Sequence, residues 1–406
     1  MADMTVDLNQ RTAANRPAFN PGMRITIVVA ALFIAGALLL NGAVSWRQSV
    51  LFLLAGIGGL TLYHAHYGFT TAFRDFINEG RGAAIRSHML MFVIASVLFL
   101  PLLTAGSFLG KPMAGYVSPV GLSVVFGAFL FGLCMQVADG CASGTLYHLG
   151  GGDLRAILTI IGYVGGSLLA TAHFAWWMAT PSFAPVSLIK SFGIGGGLLI
   201  QVLIAGAVVL LTLWVERRRK VTPLPAKATE VHGWQKLYKG PWSLLWGGVV
   251  LAVLNAAILA ISGKPWGVTS AFAVWGAKLA QAAGISVQNW SYWQVPANAA
   301  ALHKSLLFDV NTVMDIGLML GALLAAALAG RFVRPVARRF PIGMTVGALL
   351  GGVGMGYGAR IAFGCNIGAY FGGIASFSVH GWVWMVAAML GSVIGVRLRP
   401  YCSMAK

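Results

Sequence analysis

The feature that most constrains this chain is a series of long apolar runs with almost no charge inside them. Ten such segments stand at about 24–45, 49–66, 88–109, 120–138, 156–178, 192–215, 243–262, 311–330, 342–362 and 381–397. Their lengths are close to the roughly 20 residues that an α-helix needs to cross a bilayer. Transmembrane strands would alternate apolar and polar residues, and these runs do not. Only 9% of the residues are charged and 58% are hydrophobic, whereas soluble domains carry about 25% charge. No soluble core can bury that much apolar surface. The predicted fold class is therefore an all-α polytopic membrane protein, with the lipid bilayer as its first partner.

The net charge of +18 would suggest nucleic acid in a soluble protein. Here the charge sits in short blocks between spans, without zinc-finger spacing or a basic helix interleaved with aromatics. No nucleic-acid partner is expected. One block, Arg217 to Lys220, opens a basic connector at 216–241. A second holds Arg331, Arg334, Arg338 and Arg339, and a third holds Arg397, Arg399 and Lys406. Lys and Arg collect on the cytoplasmic side of membrane proteins. This places all three blocks, and both termini, in the cytoplasm of a multi-pass protein of the bacterial inner membrane. The same count puts Arg74 to Arg86 and the Asp153–Arg155 corner inside, where Arg74, Asp75 and Arg155 read as fixing loops. Lys111, Lys190, Lys264 and the stretch 284–310 fall outside, with Trp290, Tyr292 and Trp293 suited to an interfacial aromatic belt.

The expected organisation is a polar tail at 1–23, which has no apolar core and is not a signal peptide. A first membrane half follows at 24–215, then the connector, a second half at 242–400 and a tail at 401–406. A repeat links the halves. Gly68-Phe69-Thr70-Thr71-Ala72-Phe73 resembles Gly267-Val268-Thr269-Ser270-Ala271-Phe272, and Gly140-Cys141 resembles Gly364-Cys365. Gly166-Ser167 pairs with Gly391-Ser392 in the same order. The repeat core of the first half runs from about 47 to 180. With four main spans per half and the segment 192–215 between them, the second half enters the membrane upside down. Inverted repeats place binding sites near the midplane, at interrupted helices. The short, Gly-rich pieces at 67–73, 141–149, 267–283 and 365–379 are the candidates for such re-entrant helices.

Cys141 and Cys365 are the residues on which chemistry would centre. Glycines beside them, Gly140 and Gly364, let backbone approach a ligand closely. A thiol in a dry site is a weak donor suited to a sulfur oxyanion. It can also form a persulfide or disulfide or bind a soft metal. Thr70 and Thr269 are the other matched pair, able to bond an anion or their own backbone. Cys134, seven residues before Cys141, would share its face if the helix continued, and otherwise reads as a small buried hydrophobe. Gln136 and Arg360 each stand five residues before their cysteine, and Asn366 follows Cys365. Arg360 reads either as an anion contact or as an arginine snorkelling to the headgroups. His64, His66, His148 and His380 have no metal-ligand spacing and read as mostly interfacial. Asp139, Asp309 and Asp315 fall near segment ends, so no relay of buried carboxylates is evident. Nucleotide-binding, hydrolase, zinc-protease and haem motifs are absent. No metal, cofactor or enzymatic activity is expected.

These Gly-Cys blocks, the Gly68–Asp75 stretch and the Gly-rich spans resemble the YeeE/YedE family of sulfur-transport membrane proteins, over about residues 47 to 400. The resemblance implies an hourglass of helices in which short re-entrant helices meet at a narrow centre. It implies a transporter that passes thiosulfate or a related small sulfur-containing anion between cysteines through S–H hydrogen bonds. Two of those cysteines correspond to Cys141 and Cys365; where a further one is expected, this chain carries Thr70. A membrane thiol-redox or persulfide component, working with a soluble cytoplasmic sulfur-relay protein, is the second function it implies. A third reading, from the charge alone, is a membrane subunit that docks a soluble partner through the connector 216–241.

Overall fold

The computed structural model describes residues 21–222, 233–331 and 340–404. The tail before residue 21, the middle of the connector, and Arg334, Arg338, Arg339 and Lys406 lie outside the described residues. Among those described, ten helical stretches are long and apolar enough to cross a bilayer. The accompanying strands are two-residue pairs only.

The first half comprises α1 (Pro21–Ala43), α2 (Trp46–Ala65), the short α3 (Phe69–Glu79) and α4 (Ala83–Ala105). It continues with α5 (Leu122–Val137), the short α6 (Ala142–Gly150) and α7 (Arg155–Ala172). Helix α8 (Leu188–Arg218), broken at Gly193, leads to the second half. That half comprises α9 (Leu244–Ser262), the short α10 (Val268–Ala282), α11 (Val310–Leu328) and α12 (Ile342–Ile361). A short helix α13 begins as a π-helix at Asn366–Gly372 and runs on through Gly373–Ala375, and α14 (Val379–Leu398) follows. The spans match the sequence reading, with α8 starting a few residues earlier than expected because Leu188–Phe192 forms a separate turn of helix before Gly193.

The packing follows the repeat. Helix α2 packs on α11 of the other half, and its counterpart α9 packs on α4, the counterpart of α11. Likewise α5 packs on α14 and α7 on α12. Lipid offers no hydrophobic drive for helix association, so small residues that let backbones touch carry these contacts. Phe52 meets Gly317 and Gly56 meets Gly321, so α2 and α11 run the same way. Phe129 meets Gly391 and Leu133 meets Gly395 in α5 and α14, while Thr159 meets Gly352 and Tyr163 meets Gly356 in α7 and α12. Two serines bind these parallel pairs across the repeat. Ser167 Oγ donates to the Gly356 carbonyl at 3.3 Å, and Ser392 Oγ donates to the Gly132 carbonyl at 3.0 Å.

The inversion is visible where the equivalent helices α5 and α12 meet. Gly127 touches Gly358, while Gly351 touches Cys134 and Ala138, so the two run in opposite directions. Counted from the Gly-Cys pairs, Gly127 corresponds to Gly351 and Cys134 to Gly358. The two contacts are therefore one contact, repeated about a twofold axis. Arg219 and Arg399, from two of the basic blocks, lie at the same end of the bundle as Arg74 and Arg86. Arg219 reaches the Ile77 carbonyl, Arg86 pairs with Glu216, and Arg399 pairs with Asp139. Helices α1 and α8 are mostly exposed along their apolar length, and α2 and α11 mostly buried, so the repeats form the centre and α1 and α8 the periphery.

A side chain at Gly166 would run into the backbone of Val353, whereas Gly165 faces open space. Gly166→Leu is expected to destabilise the protein by about 1–3 kcal/mol, and Gly391→Leu to do the same. Gly165→Leu is expected to leave thermal unfolding in detergent unchanged. Equal unfolding temperatures for Gly166→Leu and Gly165→Leu would refute the packing described.

Candidate functional site

Both Gly-Cys motifs lie at the turn between a spanning helix and a short re-entrant one. Helix α5 ends at Val137, and α12 at Ile361. Two residues before each cysteine the backbone turns left-handed, at Asp139 (φ 61°) and at Phe363 (φ 59°). The turns are closed by matching backbone bonds: Gly140 N–H to Met135 O at 3.0 Å, and Gly364 N–H to Ala359 O at 2.8 Å. Phenylalanine in this conformation costs roughly 1–2 kcal/mol, and Gly364 at φ 147° is open only to glycine. The same strained turn is therefore built twice.

Each turn delivers its cysteine to the N-cap of the short helix behind it. Cys141 Sγ accepts from Gly144 N–H at 3.4 Å and lies 3.5 Å from Ser143 Oγ. Cys365 stands at the equivalent N-cap without a side-chain cap bond. The thiols are 2% and 1% exposed. They lie close enough to act on each other electrostatically, and Tyr163 on α7 is within that range of both. Helix N-termini carry unpaired N–H donors and the positive end of the backbone dipole, which makes them sites for anions.

The threonine pair is built in the same way. Thr70 is the second residue of α3 and Thr269 the second of α10, each two residues after a glycine at the N-cap, Gly68 or Gly267. Gln136 Nε2 donates to the Thr70 carbonyl at 3.1 Å, and Arg360 Nη2 donates to the Thr269 carbonyl at 2.8 Å. The sequence-matched pair Gln136 and Arg360 thus holds the sequence-matched threonines. Thr70 also lies beside the Cys141 thiol. Arg360 is turned inward, with Nη1 donating to Tyr292 OH at 2.8 Å, and does not snorkel.

Buried polar atoms without partners gather here. Among those of the bundle, the ones near the motifs are Thr70 Oγ1, Gln136 Oε1, Tyr163 OH, Arg360 Nε and both polar side-chain atoms of Asn366. Orphaned buried polar groups are uncommon, and each calls for an explanation such as a bound ion or a catalytic role. Tyr163 was not picked out from the sequence, where it reads as one more aromatic in an apolar span. Cys134 stands apart, because α5 stops before Cys141 and its sulfur packs on Gly354 of α12. His64 and His380 are 2% and 0% exposed, buried between helices rather than interfacial. Trp293 is also buried, donating to Thr171 Oγ1 at 3.2 Å, so only part of the expected aromatic belt faces outward. Among the described residues no cluster of His, Cys, Asp or Glu has the arrangement of a metal site.

The approaches to the two turns differ. The turn at Gly364 opens on a cavity of about 250 Å³ lined by Thr269, Tyr292, Arg360, Phe363 and Gly368. The turn at Gly140 meets a space of about 20 Å³, lined by Asp139, Thr145, His148 and Arg155 among others.

Comparison with known proteins agrees with the geometry. Residues 64–394 match the family model described as sulphur transport. The thiosulfate transporter TsuA of Spirochaeta thermophila is 26% identical over 353 residues, 84% of this chain and 96% of that protein. TsuA of Escherichia coli is 25% identical over 343 residues, 82% of this chain and 89% of that protein. The probable transporter YedE of Escherichia coli is 36% identical over 169 residues, and the match spans 40% of each protein. An all-α fold of inverted halves and the match along most of its length lead to one assignment: the chain belongs to the YeeE/YedE family of sulphur-transport membrane proteins.

Proposed function

We propose that this protein moves thiosulfate or a closely related sulfur anion across the bacterial inner membrane, through a centre formed by Cys141 and Cys365. The observation that carries this reading is the twofold-related pair of N-cap thiols, surrounded by orphaned donors in a dry site. A desolvated anion needs donors that are already in place, because an unpaired charge at membrane depth is costly. Two short helices supply backbone N–H groups there, and Asn366, Thr70 and Tyr163 supply side-chain donors. A thiol offers a weak donor, so it can receive the anion and also release it.

Arg360 gives the anion its first contact in the larger cavity, held in place by Thr269 and Tyr292. The anion then meets Cys365 and Asn366, crosses to Cys141 and Thr70, and leaves past Gly140. Charge distribution orients this path, with the Arg360 cavity outside and Gly140 on the cytoplasmic side. The threonine at position 70 supports a shorter thiol relay, with a hydroxyl taking the third contact. Thiol exchange with a soluble sulfur-relay partner requires an accessible sulfur. The burial of both thiols favours transport over that alternative.

Uptake of radiolabelled thiosulfate by cells lacking other uptake routes tests this directly. Cys141→Ala and Cys365→Ala are each expected to lower initial uptake at least about tenfold, the loss of roughly 1.4 kcal/mol in the limiting step, at equal protein in the membrane. Uptake unchanged in both variants would refute the thiol path. Arg360→Gln is expected to raise the half-saturating concentration several-fold with a smaller effect on the maximal rate. A fall in maximal rate alone would remove Arg360 from the entry site.

A further inference from the structure

The two halves repeat each other closely in the turns, yet they differ in charge where the turns meet the ends of the bundle. Asp139 Oδ1 accepts from Arg74 Nη1 at 2.7 Å and from Arg399 Nη1 at 2.9 Å. Arg399 Nη1 also donates to the Gln136 carbonyl at 2.8 Å. This cluster joins three elements: α3 through Arg74, the Gly-Cys turn through Gln136 and Asp139, and the end of α14 through Arg399. Counting from the matched motifs, Arg74 corresponds to Ala273, Asp139 to Phe363 and Arg399 to Phe174. All three members are apolar in the other half. Phe363 and Phe174 there line the 250 Å³ cavity, whereas Asp139 lines the 20 Å³ space beside Gly140. One end is open and uncharged at these positions; the other is narrow and tied by ions.

We propose that Arg74 and Arg399 form an anion site at the exit from Cys141, and that the Asp139 carboxylate occupies it as a built-in stand-in for the transported oxyanion, closing the path. This deepens the transport reading and rests on it. Two guanidinium groups converging on one carboxylate oxygen are arranged to bind an oxyanion of similar charge density. The carboxylate is 28% exposed and Arg74 19%, so the cluster borders water, while Arg399 is only 6% exposed and anchors it. An oxyanion arriving past Cys141 competes with Asp139 for the two arginines. As Asp139 swings aside, the turn that it belongs to loosens and the Gly140 side opens. When Asp139 returns it displaces the anion into water. Each step exchanges one anion for another on the same cations, so neither arginine is left buried and unpaired. Aspartate suits position 139 on two grounds: it tolerates the left-handed backbone, and it carries the competing charge.

The test uses the full-length protein in inside-out membrane vesicles and an impermeant, negatively charged thiol reagent. Modification of Cys141 is followed by mass spectrometry of its peptide, without thiosulfate present. In the wild type Cys141 is expected to react slowly, and in Asp139→Asn at least about tenfold faster. Arg74→Gln is expected to accelerate it as well, and Asp139→Glu to restore slow modification. Equal rates in wild type, Asp139→Asn and Arg74→Gln would overturn the gate. Thermal unfolding of each variant in detergent separates a gate from general loosening. Acceleration only in variants that also unfold at markedly lower temperature, with Cys365 accelerated equally, would overturn it too. Because this readout needs no substrate, the gate can fail while thiosulfate uptake by the wild type stands. In the transport arm, Asp139→Asn is expected to lower both the half-saturating concentration and the maximal rate, since the anion is no longer displaced. Wild-type vesicles that take up no sulfur anion would instead refute the transport reading.

Discussion

Everything at the centre of this protein depends on how a helix can be interrupted inside a bilayer. Lipid cannot pair a free backbone group, so irregular backbone at membrane depth must be paired within the protein or line a cavity. The Gly-Cys turns meet this requirement with the same local bonds twice, from Gly140 to Met135 and from Gly364 to Ala359. Beyond these bonds the first turns of α6 and α13 begin beside the two thiols, with Cys141 and Cys365 at their N-caps. The break in the helix and the proposed anion site are thus one feature. The parallel packing of α5 on α14 and of α7 on α12 holds the turns in register, and Ser392 and Ser167 tie each pair at equivalent carbonyls.

Symmetry builds the centre, and its loss at the ends gives the path a direction. Gln136 and Arg360 perform the same task, each gripping a threonine carbonyl, but only Arg360 brings a charge. The second half therefore offers, among the described residues, a cation without a paired carboxylate in an open cavity. The end beside Gly140 has two arginines, Arg74 of the first half and Arg399 of the second, already matched by Asp139. In the proposed path an anion is drawn to the former and has to compete at the latter.

Much of this was readable in the sequence, because the strongest signals are local. Apolar length gave the ten spans. Matched motifs gave the repeat, and the odd number of spans between its halves gave the inversion that the antiparallel contact of α5 and α12 displays. Thr70, Thr269, Gln136 and Arg360 were singled out by position, and they prove to bond with one another. What escaped is what depends on side-chain direction. Arg360 at a helix end looks like a snorkelling residue until Tyr292, from a distant loop, is seen beside it. Tyr163 carries no motif, and its hydroxyl matters only because two helices place it near both thiols. Asp139 looked like a helix-end carboxylate, because nothing in its neighbourhood shows that Arg399, at the far end of the chain, folds back onto it. Its position two residues before the cysteine, where the other half has Phe363, was the one local sign of its role.

The proposed path makes one placement central: it puts the transported anion between the N-caps of α6 and α13. Replacing the terminal sulfur of thiosulfate with selenium gives an anion that can be located by anomalous scattering in crystals of the lipid-reconstituted protein. The expected result is a selenium peak within hydrogen-bonding distance of Cys141 or Cys365 Sγ, beside Asn366 and Tyr163. A peak confined to the bundle surface, with none near either thiol, would contradict it.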